Sequence, residues 1–148
     1  MMLVRPSRIS DLDSLLSLAQ RAGVGLTTLP ASEKVLGEHL NDSQRAFQKD
    51  VARPRGERYL LVMEDLLTGE IVGCAGLVGR VGGFDPFYSS ILKTAVKASQ
   101  TMGVVKKIET LNLIQDHKGP SEIGTLFVHP DHRRGGHGRL MSLSRFLF

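Results

Sequence analysis

The sequence is poor in the residues that mark several functional classes. It holds one cysteine, Cys74, among 148 residues. That excludes an internal disulfide framework and a cysteine-rich zinc site. Cys74 stands in an apolar run with Val72 and Ala75, the setting of a buried structural thiol rather than a reactive one. No stretch approaches the roughly 18 uninterrupted apolar residues that a membrane helix needs. Met1 to Arg8 lacks the charged-then-apolar pattern and small-residue cleavage site of a secretory signal. A cytoplasmic protein without membrane association is expected. Aromatic rings are scarce, with Tyr59, Tyr88 and six phenylalanines. The basic residues are scattered, and no zinc-finger, helix-turn-helix or RNP pattern is present. The net charge of +4 therefore suits a phosphorylated small molecule, and no nucleic-acid partner is expected.

What is present is an ordinary soluble composition, 41% apolar and 23% charged, in a length suited to one domain, residues 1–148. Met2 to Arg5 is a short strand stopped by Pro6. Ser10 is placed to cap a helix with Asp11 and Asp13 in its first turn and Leu12, Leu15, Leu16 and Ala19 at helical spacing. Gly23 ends that helix. Ser32 is placed to cap a second helix reaching toward Lys49, with Val35, Leu36, Leu40 and Phe47 on one stripe, among which His39 is expected to pack. Tyr59 to Glu64 and Glu70 to Gly79 form a hairpin through Thr68-Gly69. Residues 88 to 100 fit strand and helix equally. Lys107 to Gln115 is apolar on both alternating sets, the pattern of an interior strand. A further strand runs from Glu122 to Val128.

The chemistry is concentrated in Thr125-Leu126-Phe127-Val128-His129-Pro130-Asp131-His132-Arg133-Arg134-Gly135-Gly136-His137-Gly138-Arg139-Leu140. A strand ends at a proline, three glycines follow closely, and a helical pattern begins. Such a turn aims several main-chain N–H groups at one spot beside the positive end of a helix, which suits a phosphate. Gly136 and Gly138 permit positive φ and close approach of an anion. A Walker loop is excluded, since Gly-Lys-Ser/Thr is absent. The dinucleotide fingerprint is excluded too, because the order is Gly135-Gly136-His137-Gly138. His129, His132 and His137 lie near Asp131, but the phosphate turn already accounts for this segment, and no metal is expected.

What remains is Arg/Gln-x-x-Gly-x-Gly after a strand ending in Val-x-Pro. With Arg133, Gly136 and Gly138 in the defining places, it resembles the pyrophosphate motif of the GNAT acyl-CoA N-acyltransferases. Gly25-Leu26-Thr27-Thr28-Leu29-Pro30, Asp116-His117-x-Gly119, Ser121-Glu122, Thr125-Leu126-Phe127 and Ser144-Arg145-Phe146 further resemble the arginine N-succinyltransferases, over essentially the whole chain. The resemblance implies an α/β fold of the α+β type, a mixed, mostly antiparallel sheet flanked by helices. It also implies transfer of a succinyl group from succinyl-CoA to the α-amine of L-arginine. Members of that family are about twice this long, so the chain is expected to be an amino-terminal fragment, inactive alone. The family's proton donor, a histidine, is expected beyond residue 148. Leu140, Leu143, Phe146 and Leu147 give the last helix an apolar stripe, and a homo- or hetero-oligomer covering the unfinished edge is expected.

The resemblance also assigns roles. Leu126 and Val128 offer main-chain groups to the cofactor, and Arg133, Arg134, Gly135, Gly136, His137 and Gly138 hold its pyrophosphate. Glu122, and less directly His117, are candidates for acid–base work, and a solvated side chain at the surface accounts for each equally. Thr27 and Thr28 are candidate acceptor contacts. Two alternatives stand beside this reading: a GNAT acetyltransferase acting on another amine, and a non-catalytic coenzyme-A-binding or assembly fragment.

Overall fold

The computed structural model describes residues 1–23, 26–84, 86–116 and 119–147. Its centre is a four-stranded sheet in the order β1-β2-β3-β6, formed by β1 (Met2–Pro6), β2 (Arg58–Asp65), β3 (Ile71–Val78) and β6 (Glu122–Val128). Every pairing in it is antiparallel. The β2–β3 hairpin turns at Gly69, whose φ of 74° is open to glycine at no steric cost. Among the described residues, the remaining strands, β4 (Phe87–Ser99) and β5 (Val104–Asp116), pair only with each other as a thirteen-residue ribbon.

The sheet is apolar on both faces because successive side chains of a strand point to opposite sides. On β2, Leu60 and Val62 face the helices α1 (Leu12–Ala22) and α2 (Glu33–Phe47), joining Leu15, Leu18, Leu36 and Leu40 in one core cluster. Leu61 and Met63 face the other way and pack with Val72, Ala75, Val128 and Met141. Met141 is the one fully buried side chain that α3 (His137–Ser144) contributes. A buried hydroxyl fixes α2 to the sheet: Ser43 Oγ accepts the Leu60 N–H at 2.8 Å.

Several sequence expectations change in three dimensions. Asp11, not Ser10, precedes α1, because Ile9–Asp11 winds as a 3-10 turn in which the Asp11 carboxylate accepts the Arg8 N–H at 2.7 Å. Residues 88 to 99 are strand, and Gln100 begins the turn that follows. Lys107 to Gln115 is not an interior strand: it lies in β5, where Leu111 and Leu113 are exposed. Its apolar content reflects no packing against the central sheet. His39 is packed only in part. It is half-buried on a cleft wall, with Arg58 Nη1 at 3.5 Å from its Nε2. The stripe of Leu140, Leu143, Phe146 and Leu147 is exposed, since α3 turns Met141 and Ser144 inward instead. Among the described residues no helix is long and apolar enough to cross a membrane.

Candidate functional site

β6 carries three features in a row. The first is the turn that follows it. The His129 N–H reaches back to the Val72 carbonyl at 2.8 Å, and Pro130–His132 makes a 3-10 turn. Gly135 and Gly136 then adopt φ of 58° and 81°, and Gly136 is the N-cap of α3 in the left-handed region. Positive φ thus falls on Gly135 and Gly136 rather than on Gly136 and Gly138, and Gly138 is already helical. A side chain in that left-handed region costs roughly 1–2 kcal/mol, so the two glycines make the sharp entry into the helix possible. The amides of Gly135, Gly136, Gly138 and Arg139 meet no acceptor among the described residues, as expected at a helix start. All four residues are exposed. A β-carbon added at Gly136 or Gly138 would enter open space. No protein packing therefore requires glycine at 138, where it costs a helix about 1 kcal/mol relative to alanine.

The surrounding side chains brace the turn. Arg133 Nε donates to the Val128 carbonyl at 2.9 Å, and its guanidinium lies 5.4 Å from the centre of the Phe127 ring. His137 Nδ1 sits 3.0 Å from the His132 carbonyl oxygen. Arg21 Nη1, at the end of α1, donates to His129 Nε2 at 2.8 Å. Arg134 is exposed beside the open amides.

The second feature is a bulge in β6. Gly73 and Cys74 pair with Val128 and Phe127, but the next β3 partner, Gly76, pairs with Gly124. Three steps on β6 oppose two on β3, which leaves Thr125 and Leu126 outside the register. Thr125 takes φ 51°, the only positive value at a non-glycine among the described residues. Its side chain lies over Gly76, where an added β-carbon would come within 2.8 Å of Thr125 Oγ1. Gly76 is therefore required by the bulge. Cys74 lies beneath, its Sγ 3.8 Å from the Thr125 carbonyl oxygen, and burial pushes its thiol up to about 12 despite a hydrogen bond with the Phe127 main chain. Val128, also in the second core cluster, is buried.

The third feature is an open cleft of about 780 Å³ at the other end of β6. Glu122, Gly124 and Thr125 line one wall; Thr27 and Thr28 line another. The structure thus brings together three residues singled out in the sequence from segments almost a hundred positions apart. Arg45, Arg58 and Arg80 also line it, together with Glu57. Burial would raise the Glu57 carboxyl, but the N–H groups of Arg55, Glu57 and Gly56 outweigh it and hold the group below the usual carboxylate range, with help from the charge of Lys49. His39 is shifted down, so it favours the neutral imidazole, first by burial and then by Arg58. The cleft does not extend to Gly135–Gly138, which lie past the far end of β6. His117 lies outside the described residues.

The bulge, Thr125's conformation and Glu57 escaped the sequence reading. A signal for the first existed in Gly73 and Gly76, because glycines inside a strand mark bulges and close backbone approach. None existed for Glu57, whose carboxylate enters the cleft wall only because the Arg53–Gly56 turn folds under it.

Comparison with known proteins bears on the fold and the family. The chain is 42% identical over 147 residues to arginine N-succinyltransferase subunit beta of Pseudomonas aeruginosa, an alignment covering 99% of the chain and 43% of that protein. The solved structure of arginine/ornithine succinyltransferase subunit AI from the same organism superposes with a TM-score of 0.84 at 33% identity, over 99% of this chain and 44% of that one. The PaiA N-acetyltransferase of Thermoplasma acidophilum, solved in complex with coenzyme A, shares the fold alone, with a TM-score of 0.54 at 13% identity over 97% of this chain and 69% of its own. The chain spans less than half the length of the curated relatives it matches. The fold is a GNAT-like α/β fold with antiparallel sheets. Since the family described as arginine N-succinyltransferase beta subunit matches residues 2–148, the chain belongs to that family.

Proposed function

We propose that the chain supplies the acyl-CoA-binding half of an N-acyltransferase, with succinyl-CoA as donor and the α-amine of L-arginine as acceptor. The observation that carries this reading is the order of features along β6: open cleft, bulge, glycine turn. A two-substrate transfer needs such a line, with the acceptor at one end, the diphosphate at the other and the reacting carbon between them.

A coenzyme A thioester supplies the activated acyl carbonyl. The amides of Gly135, Gly136 and Gly138 are free to donate to its diphosphate, and the start of α3 adds about 0.3–1 kcal/mol through its dipole. Arg134 contributes charge, while His137 and Arg133 hold the turn. The main chain of Leu126 and Val128 follows the pantetheine arm. At the bulge, the Leu126 N–H is the group placed to polarise the thioester carbonyl as negative charge develops. Thr27 and Thr28 face the acceptor across the cleft. Glu122 on the same cleft takes the ammonium proton, directly or through water, and His117 is the second candidate. The neutral amine attacks the thioester carbon, the C–S bond breaks, and coenzyme A leaves as the thiol with the proton that the new amide nitrogen gives up; no covalent enzyme intermediate is required, in keeping with an unreactive Cys74.

Calorimetric titration of the chain with coenzyme A, acetyl-CoA and succinyl-CoA tests the reading. Saturable binding with succinyl-CoA the tightest is expected. Gly138→Val, which meets open space and ordinary helical φ, leaves thermal stability within about 1 kcal/mol and weakens binding at least roughly tenfold, the cost of one lost charge-assisted hydrogen bond. Absence of binding at millimolar coenzyme A, or a Gly138→Val variant that binds like the parent, overturns it.

A further inference from the structure

Beyond Phe87 at its base, which lines the cleft, the β4–β5 ribbon has no role in the chemistry proposed above. Neither strand packs extensively against any other described element. An isolated two-stranded ribbon is at best marginally stable in water, so thirteen paired residues standing alone require cover. The alternation of side chains decides which face needs it. Tyr88, Leu92, Val96, Val105, Leu111 and Leu113 share one face and are each 59–73% exposed. Monomers rarely leave this much apolar surface on one face uncovered.

The charges on that face indicate what covers it. Lys107 stands opposite Val96, and Glu109 stands opposite Thr94, two positions further along β5. They are adjacent charges of opposite sign near mid-ribbon, with apolar residues on either side. A two-fold axis across the ribbon at the level of Ile108 turns a second copy over and reverses its strands. It then sets Lys107 of each copy over Glu109 of the other. The same operation stacks Val105 on Leu111 and Leu92 on Ala98. The pattern is self-complementary, as an isologous contact demands. A side-by-side arrangement with strands running the same way sets the charges against Thr94 and Val96 instead.

We infer that the exposed face of the β4–β5 ribbon is a dimerisation surface, and that its occupant is the same face of a second copy of this chain. A two-fold at Ile108 overlaps residues 91–99 and 104–112 of the two copies, about 30 Å at the usual rise per residue and roughly 10 Å wide, and leaves Tyr88 and Leu113 beyond its edge. That is a small contact of the transient kind, and the dimer dissociates in the range of tens of micromolar.

Sedimentation equilibrium from 1 to 100 micromolar, with circular dichroism as the folding control, tests this. The chain is expected to dimerise, and Leu111→Lys to remain monomeric. Lys107→Glu and Glu109→Lys each set like charges against each other twice and raise the dissociation constant roughly tenfold. The double variant Lys107→Glu/Glu109→Lys restores parental affinity. Mixing the two single variants yields heterodimers tighter than either homodimer. A chain that stays monomeric at 100 micromolar overturns the inference. So does a dimer unaffected by the single swaps, or single variants that neither the double variant nor mixing rescues.

Discussion

At the scale of single residues, Cys74 shows how composition and position combine. Its apolar neighbours predict burial, and the structure leaves it fully buried between the sheet's core cluster and the bulge. Burial pushes the thiol up to about 12, so at pH 8 only about one molecule in ten thousand carries the reactive thiolate. Ellman's reagent is expected to leave the native protein unmodified and to label one thiol per chain in denaturant. Stoichiometric labelling of the native protein within minutes contradicts the placement. Thr125 is the opposite case. Nothing in its sequence neighbourhood announces a left-handed conformation in a β-branched residue. The strain, of order 1–3 kcal/mol, is imposed by the register of a strand that is remote in sequence.

At the scale of elements, the helices α1 and α2 and the β2–β3 hairpin were legible because each buries one face, and burial writes a period into the sequence. The ribbon was legible only in part: Lys107 to Gln115 reads as a strand and lies in β5. Among the described residues β4 joins neither core cluster, so burial does not write a single period into it. The bulge falls between, since its location depends on how β6 meets β3. Its dependence on a missing side chain is measurable. Gly76→Ala drives a methyl group into Thr125 and is expected to cost about 1–3 kcal/mol in urea unfolding. Thr125→Gly removes the obstacle, so Gly76→Ala in that background costs less by at least about 1 kcal/mol. Additive costs sink the idea that these two residues hold the bulge between them.

At the scale of the whole molecule, a compact ion network joins elements far apart in sequence. Arg5 of β1 holds both oxygens of Asp11 at 2.8 and 2.9 Å and donates from Nε to Glu64 of β2 at 2.6 Å. Burial pushes Asp11 upward, but the Arg5 hydrogen bond and the Arg8 amide outweigh it and hold the carboxyl below its ordinary range. Glu57 behaves likewise. A carboxylate with a lowered folded pKa contributes its stability above the unfolded value, about 4, and loses it as pH falls through the folded value. The melting temperature is therefore expected to stay level from pH 7 to about 5 and to drop below about 4. Asp11→Asn flattens that acid limb and costs about 3 kcal/mol at neutral pH; an unchanged acid limb argues against the network. The same scale explains what sequence could and could not say of the site. The glycine turn is local and was legible as a unit. The cleft draws on α2, on the Arg53–Gly56 turn and on β6, so only its rim residues could be named.

The two arginines that follow β6 have a joint effect. Arg133 grips the carbonyl of Val128, and Arg145, arriving after α3, grips that of Gly124 at 3.2 Å. These carbonyls lie on either side of the interruption at Thr125 and Leu126. The strand is moored fore and aft by its own downstream chain, so the missing ladder partners open a gap in the sheet without leaving a slack length of backbone there.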